Sequence, residues 1–199
     1  MSNGELKQLE QAGRGEGVTV LLLTEKNQIE TVLEYVVQGN TAQVQDPAFV
    51  EELKSWVRFS DDEAVRCGDG LCSRPLGSPS VPRWLGSMLF DIFLRPKKEN
   101  DKHAKHIRSS AGLAVFVSEA DDTRHWVEVG RCYERFALQA TALNIRNAFL
   151  NQPVEVAGLR AQFASVLGLG NFRPDLVVRF GYGPEMPRSL RRPVESVIV

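Results

Sequence analysis

Two carboxamides and a cluster of guanidinium groups are the side chains best suited to grip a polar ligand. Arg188, Arg191 and Arg192 lie close together near the C-terminus. A guanidinium fork matches two oxygens of a phosphate, so Arg191 and Arg192 are candidate phosphate ligands. The same pair also reads as two solvated surface arginines. Asn151 and Gln152 precede Pro153. Each amide offers both donors and an acceptor, which suits a ring edge carrying carbonyls beside an N–H. These residue types are equally ordinary in a turn between helices. Gly181 and Gly183 follow an apolar run. Glycine there permits a turn or a close approach of backbone to ligand.

Other chemical patterns are weaker. His103 and His106 stand three apart with Asp101 nearby, but in a charged, solvated stretch that a metal does not require. Cys67 and Cys72 lack the second ligand pair of a zinc site. His125 reads as the polar flank of a helix. Gly168-Leu169-Gly170 follows a helix instead of linking a strand to a helix start, so it fails as a dinucleotide fingerprint. No nucleophile elbow or phosphate-loop lysine motif occurs.

The elements that must position these residues follow from periodicity. Val18–Leu23 is an apolar run after a Gly-rich turn and predicts a buried strand. Residues 27–38 place Ile29, Val32, Leu33 and Val36 at helical spacing, with a stop at Gly39-Asn40. Asp46-Pro47 starts a helix with an apolar stripe of Phe49, Val50, Leu53, Trp56 and Val57 running through Phe59. Residues 67–82 are rich in Gly, Ser and Pro and read as an irregular excursion, a possible lid. A short helix is expected over 84–94, then a charged stretch over 97–105. Leu113 to Val117 is continuously apolar and predicts a central strand. Asp121-Asp122 caps a long helix over 123–145. Its apolar positions fall on most sides, so it must be buried within a domain or between two. A link leads to a helix over 154–167, a strand over 175–182, and a final strand or arm over 194–199. The division expected is an N-terminal segment, 1–110, and a C-terminal core, 111–199, together forming one structural unit. The class is α+β: a layered sheet flanked by helices, with a long buried central helix.

Composition excludes several functions. The 199 residues are 43% apolar and 25% charged, as in a globular protein. A net charge of −1 argues against a general nucleic-acid binder. Three cysteines make no disulfide framework, and no window reaches the ~18 apolar residues of a membrane span. The polar first residues lack an apolar signal core, so a cytoplasmic location is expected.

Four segments resemble, in order, the nitroreductase family: AGLAVFVS (111–118), WVEVGRCYERFALQATALNIRNAFLNQPVEV (126–156), RPDLVVRFGYGP (173–184) and SLRRPVESVIV (189–199). DPAFVEELKSWVRF (46–59), Asp69-Gly70-Leu71 and RSSAG (108–112) are similar to its Acg-type branch. The resemblance implies an FMN-dependent oxidoreductase that takes hydride from NAD(P)H and passes electrons to a small-molecule acceptor, a nitroaromatic or quinone. It implies that Arg191 and Arg192 neutralise the FMN phosphate. It also implies that Asn151, Gln152, Pro153 and Gly181 lie near the flavin, and that the long helix forms a dimer core. Family members supply part of the phosphate site from an Arg- and Ser-rich N-terminal stretch. The first seventeen residues here hold only Arg14, so the chain is expected to be the C-terminal part of such an enzyme, completed by a preceding half or a partner. A flavin-storing protein with little turnover and a non-flavin interaction module are the alternatives.

Overall fold

The computed structural model describes residues 1–75, 77–188 and 192–198. The elements run α1 (Asn3–Ala12), β1 (Val18–Leu23), α2 (Lys26–Gln45), α3 (Pro47–Trp56), β2 (Val57–Arg58), α4 (Asp61–Cys67), β3 (Leu71–Cys72), α5 (Arg83–Phe93) and α6 (Pro96–Arg108). Then follow β4 (Gly112–Ser118), α7 (Thr123–Ala142), β5 (Arg146–Phe149), α8 (Gln152–Glu155), α9 (Ala157–Val166) and β6 (Arg173–Gly181). The chain divides into two compact units that interleave in sequence, residues 1–43 with 99–183 and residues 44–98 with 184–199.

The first unit is built on a four-stranded sheet in the order β1-β4-β6-β5, every neighbouring pair antiparallel. All seven residues of β4 are buried, as its unbroken apolar run demands of a strand covered on both faces. On one face, Leu9 of α1 and Val129, Cys132, Phe136 and Ala140 of α7 pack against Ala114, Phe116, Val178 and Phe180. On the other, Val32 and Val36 of α2, Ile107 of α6, Val154 of α8 and Phe163 of α9 pack against Leu113, Val115 and Val177.

Helix α7 begins where its cap predicts: Asp122 Oδ1 accepts from the His125 amide at 2.9 Å. One side of α7 is buried as expected. Its other side is open, with Val127 51% and Leu138 66% exposed. Other expectations need correction. Helix α2 does not stop at Gly39-Asn40, because both residues are buried against neighbouring helices. The charged stretch after 96 is helix α6, whose one buried apolar anchor is Ile107. The link before Asn151 contains β5, and residues 194–196 form a single 3₁₀ turn instead of a strand.

In the second unit β2 and β3 pair in parallel, and the buried Arg58 reaches Asp69 at 2.8 Å, closing the excursion that follows α4. Among the described residues no helix is long and apolar enough to cross a membrane.

Candidate functional site

Within the first unit, α2, α6 and α8 bring polar groups together on one side of the sheet. Gly39 makes the closest approach. A Cβ there would lie 2.7 Å from the Gln152 carbonyl oxygen and 2.8 Å from the Gln152 Cβ. Only glycine lets α2 pass α8 at that distance. Beside it, buried Asn40 donates to Asn100 Oδ1 at 2.7 Å, and Asn100 donates to Thr41 Oγ1 at 2.9 Å. A turn later, Gln43 donates to Glu155 Oε2 at 2.7 Å.

Helix α6 adds His103, whose Nε2 lies 3.4 Å from Gln152 Nε2. Two nitrogens can bond only if one lends a lone pair. With the amide as donor, His103 would accept on Nε2 and carry its proton on Nδ1. Burial pushes the His103 pKa below its ordinary value; Lys102, His106 and Arg179 push the same way and Glu99 opposes. His106 is lowered by burial and then by Arg179. The Gln152 Oε1 atom is left buried with no hydrogen-bond partner. A buried carbonyl oxygen without a donor is costly, so this end of the amide is suited to accept from an N–H.

The lowered histidines give a pH prediction. The folded chain resists protonation at His103 and His106, so the unfolded chain binds more protons once pH falls below the ordinary histidine value of 6.5. Stability should be level above that point and decline as pH drops from it toward the folded-state values. Urea midpoints between pH 8 and 5 test this, and a double variant H103N/H106N should flatten the decline. An equal decline in the double variant would assign it to other groups.

The remaining expected site residues fall as follows. Asn151 Oδ1 accepts from the Val177 amide at 3.0 Å, and its carbonyl accepts from the Val154 and Glu155 amides at 2.9 Å. Its oxygens therefore tie α8 to the sheet. Pro153 is buried in the first turn of α8. A Cβ on Gly181 would stand 3.0 Å from the Ala111 nitrogen, so this glycine fits its own chain's backbone. Arg192 is exposed in the second unit, with its aliphatic stem beside Gly68. Arg191 lies outside the described residues. Of the expected set, Asn151, Gln152 and Pro153 stand together, joined by His103 and Gly39.

Two other features bear on chemistry. Burial pushes the Cys132 thiol up to about 11, so it supplies no thiolate near neutrality. A cleft of about 630 Å³ is lined by Thr24, Lys26, Ile29, Glu30, Arg108 and Ser110. Its arginine is already held by Glu30 through two hydrogen bonds, at 2.8 and 2.7 Å.

The architecture matches solved structures over its whole length. A nitroreductase with bound FMN from Bacteroides fragilis superposes with a TM-score of 0.57 at 13% identity, covering 100% of this chain and 88% of that one. The fold is that of the nitroreductases. A second FMN-bound nitroreductase, from Desulfitobacterium hafniense, gives 0.57 at 12% identity, covering 100% and 87%. The NADPH:FMN oxidoreductase of Vibrio harveyi, complexed with NAD+, gives 0.55 at 12% identity, covering 100% and 68%. In sequence, two provisionally named NAD(P)H nitroreductases from strains of Mycobacterium tuberculosis are 23% identical over 183 residues, or 89% of this chain. The chain spans about half, 51%, of the length of these curated relatives. No family model matches. The nitroreductase resemblance read from the sequence is thereby supported, without distinguishing the Acg-type branch.

Proposed function

We propose that this chain is the flavin-bearing part of an FMN-dependent, NAD(P)H-linked oxidoreductase of nitroreductase type. The observation that carries the reading is the match of the entire chain to nitroreductases with FMN bound. The residues around α8 fit such a group. The buried, unpartnered Gln152 Oε1 is an acceptor, and a flavin's imide edge presents an N–H between two carbonyls.

FMN, when bound, supplies the hydride and electron chemistry. The chain supplies grip and orientation. Gln152 would read the imide edge, with its amide held by His103 and its backbone braced against Gly39. Asn151 would fix the height of α8 over the sheet through its bond to Val177. Arg191 and Arg192 would neutralise the phosphate. The substrate class is a nitroaromatic or quinone, and the setting a cytoplasmic one. The Acg-type branch is the subgroup favoured by residues 46–59 and 108–112. A second copy of the chain would cover the open side of α7, where Val127 and Leu138 are exposed.

Purified protein should take up added FMN with a flavin spectrum, be bleached by NADPH or NADH, and regain colour with a nitro compound or quinone. FMN uptake without bleaching would select the storage reading. A folded chain that ignores FMN, alone and with any preceding half restored, would replace the flavin assignment with an interaction module.

A further inference from the structure

Strand β6 carries Arg179 among apolar residues. It pairs with Leu113 on β4 and with Ala148 on β5. Directly opposed residues of an antiparallel pair share a face, and Leu113 belongs to the core beneath α2 and α6. Arg179 therefore rises on the α6 side of the sheet. Arg146 on β5 pairs with Gly181, two residues along from Ala148, so it rises on the same side. The two arginines are diagonal neighbours, about 7–8 Å apart and within the reach of long side chains. No side chain stands opposite Arg146, since its partner is glycine.

Neither arginine is satisfied. Arg179 is partly buried, burial pushes its pKa down, and it makes no hydrogen bond or ion pair among the described residues. The Nε of Arg146 is buried with no partner. Carboxylates of the same unit are engaged elsewhere: Glu30 with Arg108, and Glu155 with Gln43. Glu99 lies near His103 and Lys102. The charge of Arg179 also reaches His106 and His103 on α6, depressing both. Partly desolvated guanidinium groups without a counter-charge are costly to keep, and an incoming anion would offset that cost.

We propose that Arg179 and Arg146, on the sheet face that α6 covers, form a binding site for an oxyanion, the phosphate or carboxylate of a small molecule. The site is made from different residues than the C-terminal pair assigned to the flavin phosphate. Arginines that rise on one face from adjacent strands can each offer a guanidinium fork with paired N–H bonds to an oxyanion.

The test uses the full chain without added flavin. Inorganic phosphate, against chloride at matched ionic strength, should raise the unfolding midpoint and show saturable binding by calorimetry. R179Q and R146Q should each weaken that binding by about tenfold or more, the loss expected for a charge-assisted hydrogen bond. R179K should restore part of it. In chloride alone R179Q should be as stable as the parent or more so, because it removes an unpaired charge. A marked loss of stability there would mean that Arg179 serves the fold, and would overturn the proposal. Equal phosphate binding by parent, R179Q and R146Q would overturn it too, as would no binding by the parent. Competition identifies the source of the anion. If FMN displaces phosphate and riboflavin does not, the site takes the flavin's own phosphate. If FMN and phosphate bind together, it takes a separate anionic molecule. Phosphate binding that depends on Arg179 in a chain that ignores FMN would sink the flavin assignment and leave this site standing.

Discussion

Phe136→Ala is expected to lower the stability of the chain by about 3–5 kcal/mol, the range for deleting a fully buried aromatic ring. Phe136 has no exposed surface. Its ring meets Phe116 of β4 edge-on at 5.5 Å and Phe180 of β6 at 6.1 Å. These contacts join α7 to the two central strands, so the cavity would open where helix and sheet are held together. Neighbouring side chains cannot collapse into it easily, because Phe116 is also braced edge-on by Tyr133 at 6.0 Å. Urea unfolding of the two proteins would measure the loss. A loss under about 1 kcal/mol would mean that this helix is not part of the cooperative core. Leu138→Ala, on the open side of α7, should cost little in the same assay unless a second copy covers that face. The contrast therefore separates a core role from an association role on one helix.

Legibility followed burial. Strands β4 and β6, and the apolar side of α7, were read because their side chains are set by one strong force, exclusion from water. The starts of α3 and α7 were read because Asp46 and Asp122 each act locally, accepting a backbone N–H at a helix start. Helix α6 was hidden because it buries little besides Ile107 and so lacks an apolar period. Strand β5 was hidden by its length. Arg146-Asn147-Ala148-Phe149 does not alternate in polarity, and four residues with an arginine facing the helices do not resemble a buried strand. The candidate site divides the same way. Gln152 was visible as an amide in a turn beside a proline. The partner that orients it, His103, looked like a solvated histidine, since what gives it a role is a contact 49 positions away in sequence. Arg179 could have been suspected: a cation within the apolar run Leu176–Phe180 is the kind of local inconsistency that marks a functional position.

Gly39→Ala is the second large effect, and its sign is not obvious from propensity. In a helix interior, alanine is ordinarily better than glycine by about 1 kcal/mol. At this position the added methyl would stand 2.7 Å from the Gln152 carbonyl oxygen and 2.8 Å from its carbonyl carbon. Both belong to backbone, which cannot rotate away as a side-chain tip can. The tie between Asn151 Oδ1 and the Val177 amide further limits how far α8 can retreat. Overpacking of this kind costs about 1–3 kcal/mol, so it outweighs the gain in propensity and the variant should be the less stable protein. The consequence for the site should exceed the consequence for the fold. Moving α8 by even half an ångström lengthens the contact between Gln152 and His103, already 3.4 Å. The amide then loses the partner that fixes its direction. FMN affinity should fall by about tenfold or more, as for loss of a well-placed hydrogen bond to the ligand, while circular dichroism stays close to that of the parent. Thermal melts and flavin-fluorescence titrations on the same samples would read both effects. Gly130→Ala, on α7 where an added methyl meets nothing within 4 Å, is the control and should be neutral or stabilising. If Gly39→Ala behaves like Gly130→Ala in both assays, the packing of α2 on α8 does not position Gln152, and the role given to that amide falls with it.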